Sequence, residues 1–416
     1  MNAERMTVLI PTCERADVLQ YSLATCLNQP DAGPVRFLVS DNCSRDHTQS
    51  VVDDAMKRDS RVESIRTSER LGMAEHWEWA LKHVSDGWVC IIGDDDGLMP
   101  NALPTLRQAI TRHPTLDAIN WPHSCYIYPD DRKPAVSGLL ALTWLEHEEI
   151  RSGKKWISRV ADFRSAFYVD LPIVYHGLLH TRLLEKITSS VGRQIGTRIP
   201  DVFLSVAAAG LIGDYLWLAY SQSINGSSRH STYASVVGVN DSKAAHHFEN
   251  DTQIEAGVGI PRNRSVTAMI IESILTCQRY KILPTDLHID KKTALSRIVL
   301  ELAERPQPGD SEHIEAIADV LNEKKWLESL LQKSESQLSH LRSHLHETKY
   351  VPKHSLMKQL DPQKVSDVST AVQVAYEIYS SQKQHHKATF YHDSFGQRLR
   401  KNLKRFCRHL VTKKAA

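Results

Sequence analysis

Several features that define whole classes of protein are missing from this 416-residue sequence. It has seven cysteines but no C-x-x-C pair, and their odd number argues against the disulfide framework of a secreted protein. Positive and negative charges nearly balance, with 51 Lys and Arg residues and 49 Asp and Glu residues. The sequence also contains no recognised nucleic-acid-binding motif. These absences favour a globular protein of one large or two moderate domains in a reducing cytoplasm, without a nucleic-acid partner.

Long hydrophobic runs are also missing. The opening stretch "MNAERMTVLIPTCER" reaches Pro11 after a short apolar run, so it lacks the long apolar region of a signal peptide. The most apolar later stretch, 202–221, is preceded by Asp201 and interrupted by Asp214, whereas a spanning helix needs roughly 18 or more apolar residues without charge. We therefore expect no transmembrane segment.

Short apolar runs alternate with amphipathic stretches through about the first 125 residues. The apolar runs are "TVLIP", "VRFLVSD", "VESIRT" and "WVCIIGDDD". Helical periodicity covers 17–28, 46–58 and 73–84, and a further helix is opened by Pro100. Strict alternation predicts an α/β fold, a mostly parallel sheet flanked by helices. In such sheets, ligands bind beyond the carboxyl ends of the strands.

Polar clusters follow three of these runs. One lies at 11–15, another begins at Asp41, and the third is the triplet Asp94-Asp95-Asp96. If the triplet is extended, Asp94 and Asp96 share one side and Asp95 faces the other. Mg²⁺ and Mn²⁺ take carboxylate and phosphate oxygens together, so a nucleoside diphosphate is the natural partner of such a pair.

Four segments in the same order resemble glycosyltransferases of the family 2 type, which have the Rossmann-like GT-A fold. They are "VLIPTCER", "FLVSDNCSRDHT", "RLGMAEHWEWAL" and "GDDD", the last matching the D-x-D motif of that family. The resemblance covers about the first 110 residues, and it implies a divalent cofactor, Mn²⁺ or Mg²⁺.

The resemblance also implies individual roles. Residues beside the nucleotide would be Pro11, Thr12, Glu14, Arg15, Asp41, Asp94 and Asp95. Asp41 would accept a hydrogen bond from the base, and Asp96 would bind the metal directly, together with Asp94. Without its neighbours, Asp41 reads equally as the residue that caps the following turn and helix.

Two downstream segments complete the resemblance. The catalytic base of the family is an acidic residue that opens a helix, and Asp201 in "RIPDVFLSVAAAG" fits by position, although Pro200-Asp201 replaces the usual Glu-Asp pair. A plain N-cap is the alternative reading of Asp201. "INGSSRHST" resembles a Gly-Ser-basic stretch in which Arg229 and His230 would cover the diphosphate.

These features together predict an inverting, metal-dependent glycosyltransferase that acts on a glycan or lipid-linked acceptor in bacterial surface polysaccharide synthesis. Two alternatives remain open. "GDDDG" also resembles the D-x-D-G opening of haloacid-dehalogenase-type phosphatases, which would use Asp94 and Asp96, and a non-catalytic assembly module with this fold is the other.

We predict three regions: a catalytic domain at 1–240, a helical region at 241–350 and a C-terminal helical extension at 351–416. Basic residues alternate with apolar ones at helical spacing in 394–414, a pattern typical of a helix that lies on anionic lipid. We therefore expect a cytoplasmic protein, peripheral on the inner face of the cell membrane. Its C-terminal helices would suit a homo-oligomer.

Overall fold

The computed structural model describes residues 4–130, 135–229, 253–254, 257–303, 306–333, 336–338, 340–341, 343 and 354–385. The chain divides into two units, one running to Ala375 and the other starting at Tyr376. Of the second unit the structure describes 376–385, which are helical. The basic segment 394–414 lies outside the described residues.

The first unit is built from strands and helices in alternation. The strands are β1 (Met6–Thr12), β2 (Val35–Asp41), β3 (Val62–Arg66), β4 (Trp88–Ile91), β5 (Gly97–Leu98), β6 (Ala118–Asn120), β7 (Ser124–Ile127), β8 (Leu139–Trp144), β9 (Glu149–Ser152), β10 (Gly177–His180), β11 (Asp214–Trp217), β12 (Ser223–Ser227) and β13 (His354–Gln359).

The helices follow the strands in the order expected. They are α1 (Ala16–Leu27), α2 (Thr48–Arg58), α3 (Met73–Leu81), α4 (Ala102–Arg112), α5 (Gly153–Ala161), α6 (Thr181–Val191), α7 (Pro200–Leu211), α8 (Val266–Arg279), α9 (Lys291–Ala303), α10 (Asp310–Leu321), α11 (Lys324–Leu331) and α12 (Val368–His385). A 3-10 helix spans Tyr168–Asp170.

An eight-stranded sheet in the order β3-β2-β1-β4-β10-β6-β11-β9 carries the fold. The first four strands in chain order are mutually parallel, and Thr12 at the end of β1 lies opposite Asp41 at the end of β2. The strand β10 runs antiparallel to both β4 and β6. The predicted α/β class with a mostly parallel sheet is therefore confirmed, and the carboxyl ends of β1, β2 and β4 form one rim.

The predicted helices 17–28, 46–58 and 73–84 are α1, α2 and α3, with some of their ends shifted by one to three residues. The helix expected to open at Pro100 begins at Ala102, because Asn101 takes a left-handed conformation with φ of 62°. The helix α7 contains Gly210 and continues to Leu211. A Cβ on Gly210 would lie 2.8 Å from the carbonyl oxygen of Ile282, so this glycine permits close packing rather than termination.

A second sheet, in the order β13-β8-β7-β12-β5, lies beside the rim. Its edge strand β13 pairs antiparallel with β8 from His354 opposite Trp144 to Gln359 opposite Leu139. The segment expected to start a helical extension thus begins with a strand. The difference arises because pairing with a distant strand, which local sequence does not encode, decides the conformation of a short half-buried segment.

One hydrophobic core joins the catalytic segment to the following helices. It contains Leu9 and Val89 of the large sheet, Phe203 of α7, Ile270 of α8 and Leu295 of α9. The described helices of the predicted region 241–350 therefore share a core with the sheet. The three predicted region boundaries stay a prediction. None of the helices that the structure describes is long and apolar enough to cross a bilayer.

Candidate active site

The three adjacent aspartates lie in a buried turn. The strand β4 ends at Ile91, Asp94 and Asp95 form a turn, and the short strand β5 follows at Gly97. The expected alternation of sides requires an extended chain, so it does not describe this segment. Each carboxylate instead has its own set of partners, which is how a fold keeps three like charges adjacent.

Asp94 is held by the segment that follows β1. The Thr12 hydroxyl donates to Asp94 Oδ2 at 2.8 Å, and the Arg15 guanidinium donates to Asp94 Oδ1 at 3.0 Å. Burial raises the pKa of Asp94 to about 6, the Arg15 charge opposes that rise, and repulsion from Asp95 adds to it. A cation placed beside this turn would therefore stabilise its ionised form.

Asp96 is fully buried and is bonded on both oxygens. Oδ2 accepts from the Gly93 amide at 2.5 Å and the Tyr175 hydroxyl at 2.8 Å, and it lies 2.9 Å from His176 Nε2. The Gly226 amide donates to Oδ1 at 2.7 Å. Burial by itself raises the pKa of Asp96, but His176 and these amides hold it below the usual value. Asp96 thus stays a carboxylate inside the protein.

A chain of buried hydrogen bonds fixes the orientation of His176. The indole of Trp121 donates to Ser223 Oγ at 2.9 Å, so the Ser223 hydroxyl is available to donate to His176 Nδ1 at 2.8 Å. His176 Nε2 then faces Asp96 Oδ2 at 2.9 Å. His176 therefore connects the aspartate turn to β12.

Asp95 meets the segment that the sequence identified as Gly-Ser-basic. Its Oδ2 accepts from the Ser228 hydroxyl at 2.7 Å. Gly226 has no room for a side chain there, because a Cβ would lie 1.7 Å from the Asp95 carbonyl oxygen. The glycine of "INGSSRHST" thus lets β12 lie directly against the aspartate turn.

Oxygen atoms converge beside Gly93, where a cation site is expected. A Cβ on Gly93 would lie 2.9 Å from Asp96 Oδ2 and 3.3 Å from both Asp95 Oδ1 and Tyr175 Oη. An all-oxygen surrounding of this kind fits Mg²⁺ or Mn²⁺. In the described part of the chain, no group of three or more His, Cys, Asp and Glu side chains forms a complete metal centre. The carboxylate that would bind a metal directly stays a prediction.

Asp41 and Glu14 stabilise the loops of the rim. Asp41 Oδ1 accepts from the Ser44 amide at 2.9 Å, and its other oxygen pairs with the Arg66 guanidinium. Glu14 Oε1 accepts from the Arg45 amide at 2.8 Å. Asp41 thus supports its own turn without reaching helix α2. Pro11, the remaining predicted nucleotide contact after β1, is a half-buried residue inside that strand.

The first backbone amide of α2 is bound by Asp46, and not by Asp41. Asp46 Oδ1 accepts from the Thr48 amide at 3.1 Å, and its Oδ2 accepts from the amide of Ala16, the first residue of α1, at 3.0 Å. One carboxylate therefore ties the amino ends of two helices together. This arrangement keeps Arg15 next to the aspartate turn.

Asp201 lies in the first turn of α7, as predicted, with its side chain partly exposed. Its Oδ2 accepts a hydrogen bond from the Tyr168 hydroxyl at 3.0 Å. Burial raises the pKa of Asp201, and the Tyr168 hydrogen bond and the attraction of His176 oppose that rise. Tyr175 interacts electrostatically with both Asp96 and Asp201, so Tyr175 and His176 connect the two acidic groups.

Of the two residues predicted to cover the diphosphate, Arg229 and His230, the structure describes Arg229. The exposed guanidinium of Arg229 lies 3.1 Å from Asp17 Oδ2 in the first turn of α1, on the side of the rim that carries Arg15. His230 lies outside the described residues. Arg229 is thus near the rim, and its role stays a prediction.

Sequence reasoning missed the residues that join the two acidic groups. They are Tyr168, Tyr175, His176 and Asn225, whose amide nitrogen lies 3.2 Å from Tyr175 Oη and 3.3 Å from His176 Nε2. No spacing or motif marks the first three positions, and Asn225 lies in the Gly-Ser-basic stretch, where only Arg229 and His230 were singled out. His176 is one of few non-glycine residues with a positive φ, 55°, a backbone signal visible only after folding.

Comparison with known proteins finds a family match and a curated relative. Residues 7–166 match the family described as Glycosyl transferase family 2. Over 105 residues the chain is 31% identical to a Campylobacter jejuni protein named GalNAc(5)-diNAcBac-PP-undecaprenol beta-1,3-glucosyltransferase, covering 25% of this chain and 34% of the relative. The chain thus spans about a third of the length of that curated relative. The matched segment contains all four motifs and agrees with the family that they predict.

Similar solved structures cover more of the chain at lower identity. S. aureus TarS 1-349 in complex with UDP-GlcNAc is 13% identical with a TM-score of 0.43, over 78% of this chain and 92% of that one. The mannosyltransferase PcManGT from Pyrobaculum calidifontis, in complex with GDP-Man and Mn²⁺, is 16% identical with a TM-score of 0.38, over 84% and 86% of the two chains.

Proposed function

We propose that this chain, whose residues 7–166 belong to glycosyl transferase family 2, transfers a sugar with inversion from a nucleoside-diphosphate donor to a hydroxyl of a glycan or lipid-linked acceptor. One observation carries the proposal. The Tyr175 hydroxyl donates to Asp96 Oδ2 at 2.8 Å, and Tyr175 also interacts electrostatically with Asp201 in the first turn of α7, which supports a single site for both acidic groups. A site with a charge-dense end and a proton-accepting end suits group transfer from a diphosphate.

The rim of the large sheet would bind the sugar nucleotide. Thr12 ends β1 and Arg15 follows that strand, Asp41 ends β2 opposite Thr12, and the aspartate turn follows β4. Ligands of open α/β sheets bind at this edge of the sheet. Arg15 supplies a guanidinium at the rim, where it would contact the diphosphate as well as Asp94.

A divalent cation would be held at the oxygens beside Gly93, by Asp96 with Asp94 or Asp95. When bound, it would stabilise the negative charge that develops on the leaving diphosphate. The protein itself keeps Asp96 ionised through His176 and the backbone amides of Gly93 and Gly226. Mn²⁺ or Mg²⁺ is therefore proposed as the cofactor.

Asp201 would accept the proton of the attacking acceptor hydroxyl. Tyr168 donates to its Oδ2, and the partly exposed side chain would be reached by an acceptor. A carboxyl whose pKa is raised by burial is a better proton acceptor than an exposed one. The attack would come from the face opposite the leaving group, which inverts the anomeric centre.

The acceptor and the location are proposed from one relative and from the composition of the C-terminal segment. The name of the Campylobacter relative includes a PP-undecaprenol, which supports a lipid-linked acceptor and a role in bacterial surface polysaccharide synthesis. The basic segment 394–414 has the composition of a helix that lies on anionic lipid. We therefore propose a peripheral protein of the inner membrane face. A homo-oligomer through the C-terminal helices is a separate proposal.

Calorimetric titration with a panel of nucleoside diphosphates, with and without Mn²⁺, tests the proposed function. The wild type is expected to bind one nucleotide far more tightly with Mn²⁺, and Asp96→Asn is expected to lose that metal dependence. Asp214→Asn, which changes an exposed aspartate on β11, is the matched control. Failure of every nucleotide to bind would overturn the proposal and favour the phosphatase or the assembly module.

A further inference from the structure

The 3-10 helix Tyr168–Asp170 approaches Asp201 directly, although the sequence gives it no motif. The Tyr168 hydroxyl donates to Asp201 Oδ2 at 3.0 Å. We propose that Tyr168 is a positioning residue: it holds one carboxylate oxygen of Asp201 and thereby directs the other oxygen toward the acceptor hydroxyl. This inference rests on the proposed function, in which Asp201 is the base. None of the four motifs that resemble the family contains Tyr168.

The backbone around Tyr168 is fixed by hydrogen bonds at both ends of the 3-10 helix. The Phe167 amide donates to Asp170 Oδ2 at 2.9 Å, and the Leu171 amide donates to the Tyr168 carbonyl at 3.1 Å. The Asn120 side chain donates to the Leu171 carbonyl at 2.6 Å. A single turn with these restraints presents its side chain in one direction, which a positioning role requires.

Asp170 is anchored in turn by a buried arginine. The Arg151 guanidinium lies 3.9 Å from the centre of the Trp156 ring and 3.7 Å from that of Trp217. Arg151 Nη1 is 3.7 Å from Asp170 Oδ1, and the Tyr215 hydroxyl donates to the Asp170 carbonyl at 2.5 Å. A guanidinium stacked between two indoles is well restrained. The far edge of the sheet thus sets the position of Tyr168.

Among the described residues, Asp201 interacts with ionisable groups from segments that precede α7. They are Tyr168 in the 3-10 helix and Tyr175 and His176 before β10. The Tyr168 hydrogen bond lowers the pKa of Asp201 against the effect of burial. Loss of that bond should therefore raise the pKa of Asp201 as well as free its carboxylate to rotate.

Tyr168→Phe tests this inference, because it removes the hydroxyl and keeps the ring. Protein labelled with ¹³Cγ-aspartate is titrated by NMR, and the resonance missing from Asp201→Asn identifies Asp201. Tyr168→Phe is expected to raise the pKa of Asp201 by roughly one unit. Tyr126→Phe is the matched control, since it removes a tyrosine hydroxyl that donates to the Val365 carbonyl, and the pKa of Asp201 should not move.

Release of nucleoside diphosphate from the sugar nucleotide, with water as acceptor, supplies the second readout. For Tyr168→Phe, kcat should fall roughly tenfold with little change in KM for the sugar nucleotide, since only the base is misdirected. The acid limb of the kcat/KM profile should move to higher pH by the same roughly one unit.

The outcomes separate this inference from the proposed function. An unchanged pKa of Asp201 in Tyr168→Phe overturns the inference, whatever the activity of the wild type. A loss of kcat at all pH values without movement of the acid limb also overturns it, because a purely structural defect behaves so. A wild type that releases no nucleoside diphosphate from any sugar nucleotide overturns the proposed function, while the NMR titration still decides on Tyr168.

Discussion

The two acidic regions of the site are held in different ways. The turn Asp94–Asp96 is buried and bonded from β1, α1, β12 and the segment before β10, through Arg15, His176 and Gly226 among others. Asp201 is partly exposed, and Tyr168 donates to one of its oxygens. A rigid cluster of charge suits the binding of a fixed polyanion with its cation, whereas an accessible carboxylate suits proton transfer. Damage to the first region should therefore cost stability, and damage to the second should cost only catalysis.

Asp201→Asn should give the largest effect and the sharpest test of this contrast. The variant keeps the shape of the side chain but removes the proton acceptor, so transfer should fall about 10³-fold while nucleotide affinity is retained. Initial rates and calorimetric nucleotide binding measure the two effects, with the exposed Asp214→Asn as control. Activity within tenfold of the wild type would exclude Asp201 as the proton acceptor.

Arg15→Gln should damage the first region through its charge balance. It leaves the buried carboxylate of Asp94 without its cationic partner, and breaking a buried pair costs about 3 kcal/mol or more of the free energy of unfolding. The pKa of Asp94 should rise above its present value of about 6. Urea unfolding measures the loss, and Arg58→Gln, an exposed arginine at the end of α2, should be neutral. Equal stability of the two variants would contradict the buried pairing.

Gly226→Ala tests the close approach of β12 to the aspartate turn. Its Cβ would overlap the Asp95 carbonyl oxygen, at 1.7 Å, so the strand must move at a cost of about 2–3 kcal/mol, and nucleotide binding should weaken with it. Gly213→Ala is the matched control, since nothing lies within 4 Å of the added Cβ. A Gly226→Ala protein with unchanged stability and binding would separate β12 from the site.

Arg229→Ala should give the smallest effect. Its ion pair with Asp17 is exposed, with side-chain exposures of 64% and 47%, so the free energy of unfolding should change by less than about 1 kcal/mol. If Arg229 covers the diphosphate, calorimetric affinity for the nucleoside diphosphate should still fall, by less than about tenfold. Unchanged affinity would remove Arg229 from the diphosphate-binding set.

The strands and helices of the first 125 residues were predictable because each depends on the pattern of neighbouring residues in the sequence. Periodicity within 5–15 residues gave the four strands and their intervening helices, and the polar residues at 11–15, 41 and 94–96 follow from where those strands end. The ligand-binding edge of a parallel sheet is a general property of such sheets. The first acidic region was therefore located from sequence, and Asp201 was found only through resemblance.

The partners of these residues were decided by tertiary structure. Gly226 meets Asp96 across 130 positions, Tyr168 meets Asp201 across 33, and β13 pairs with a strand more than 200 residues earlier. Hydrogen bonds between such distant residues form only when packing has brought their elements together, and no local pattern encodes them. The sequence by itself determined which carboxylates stand at the rim; the tertiary structure decided which of them are fixed and which one is left accessible to take a proton.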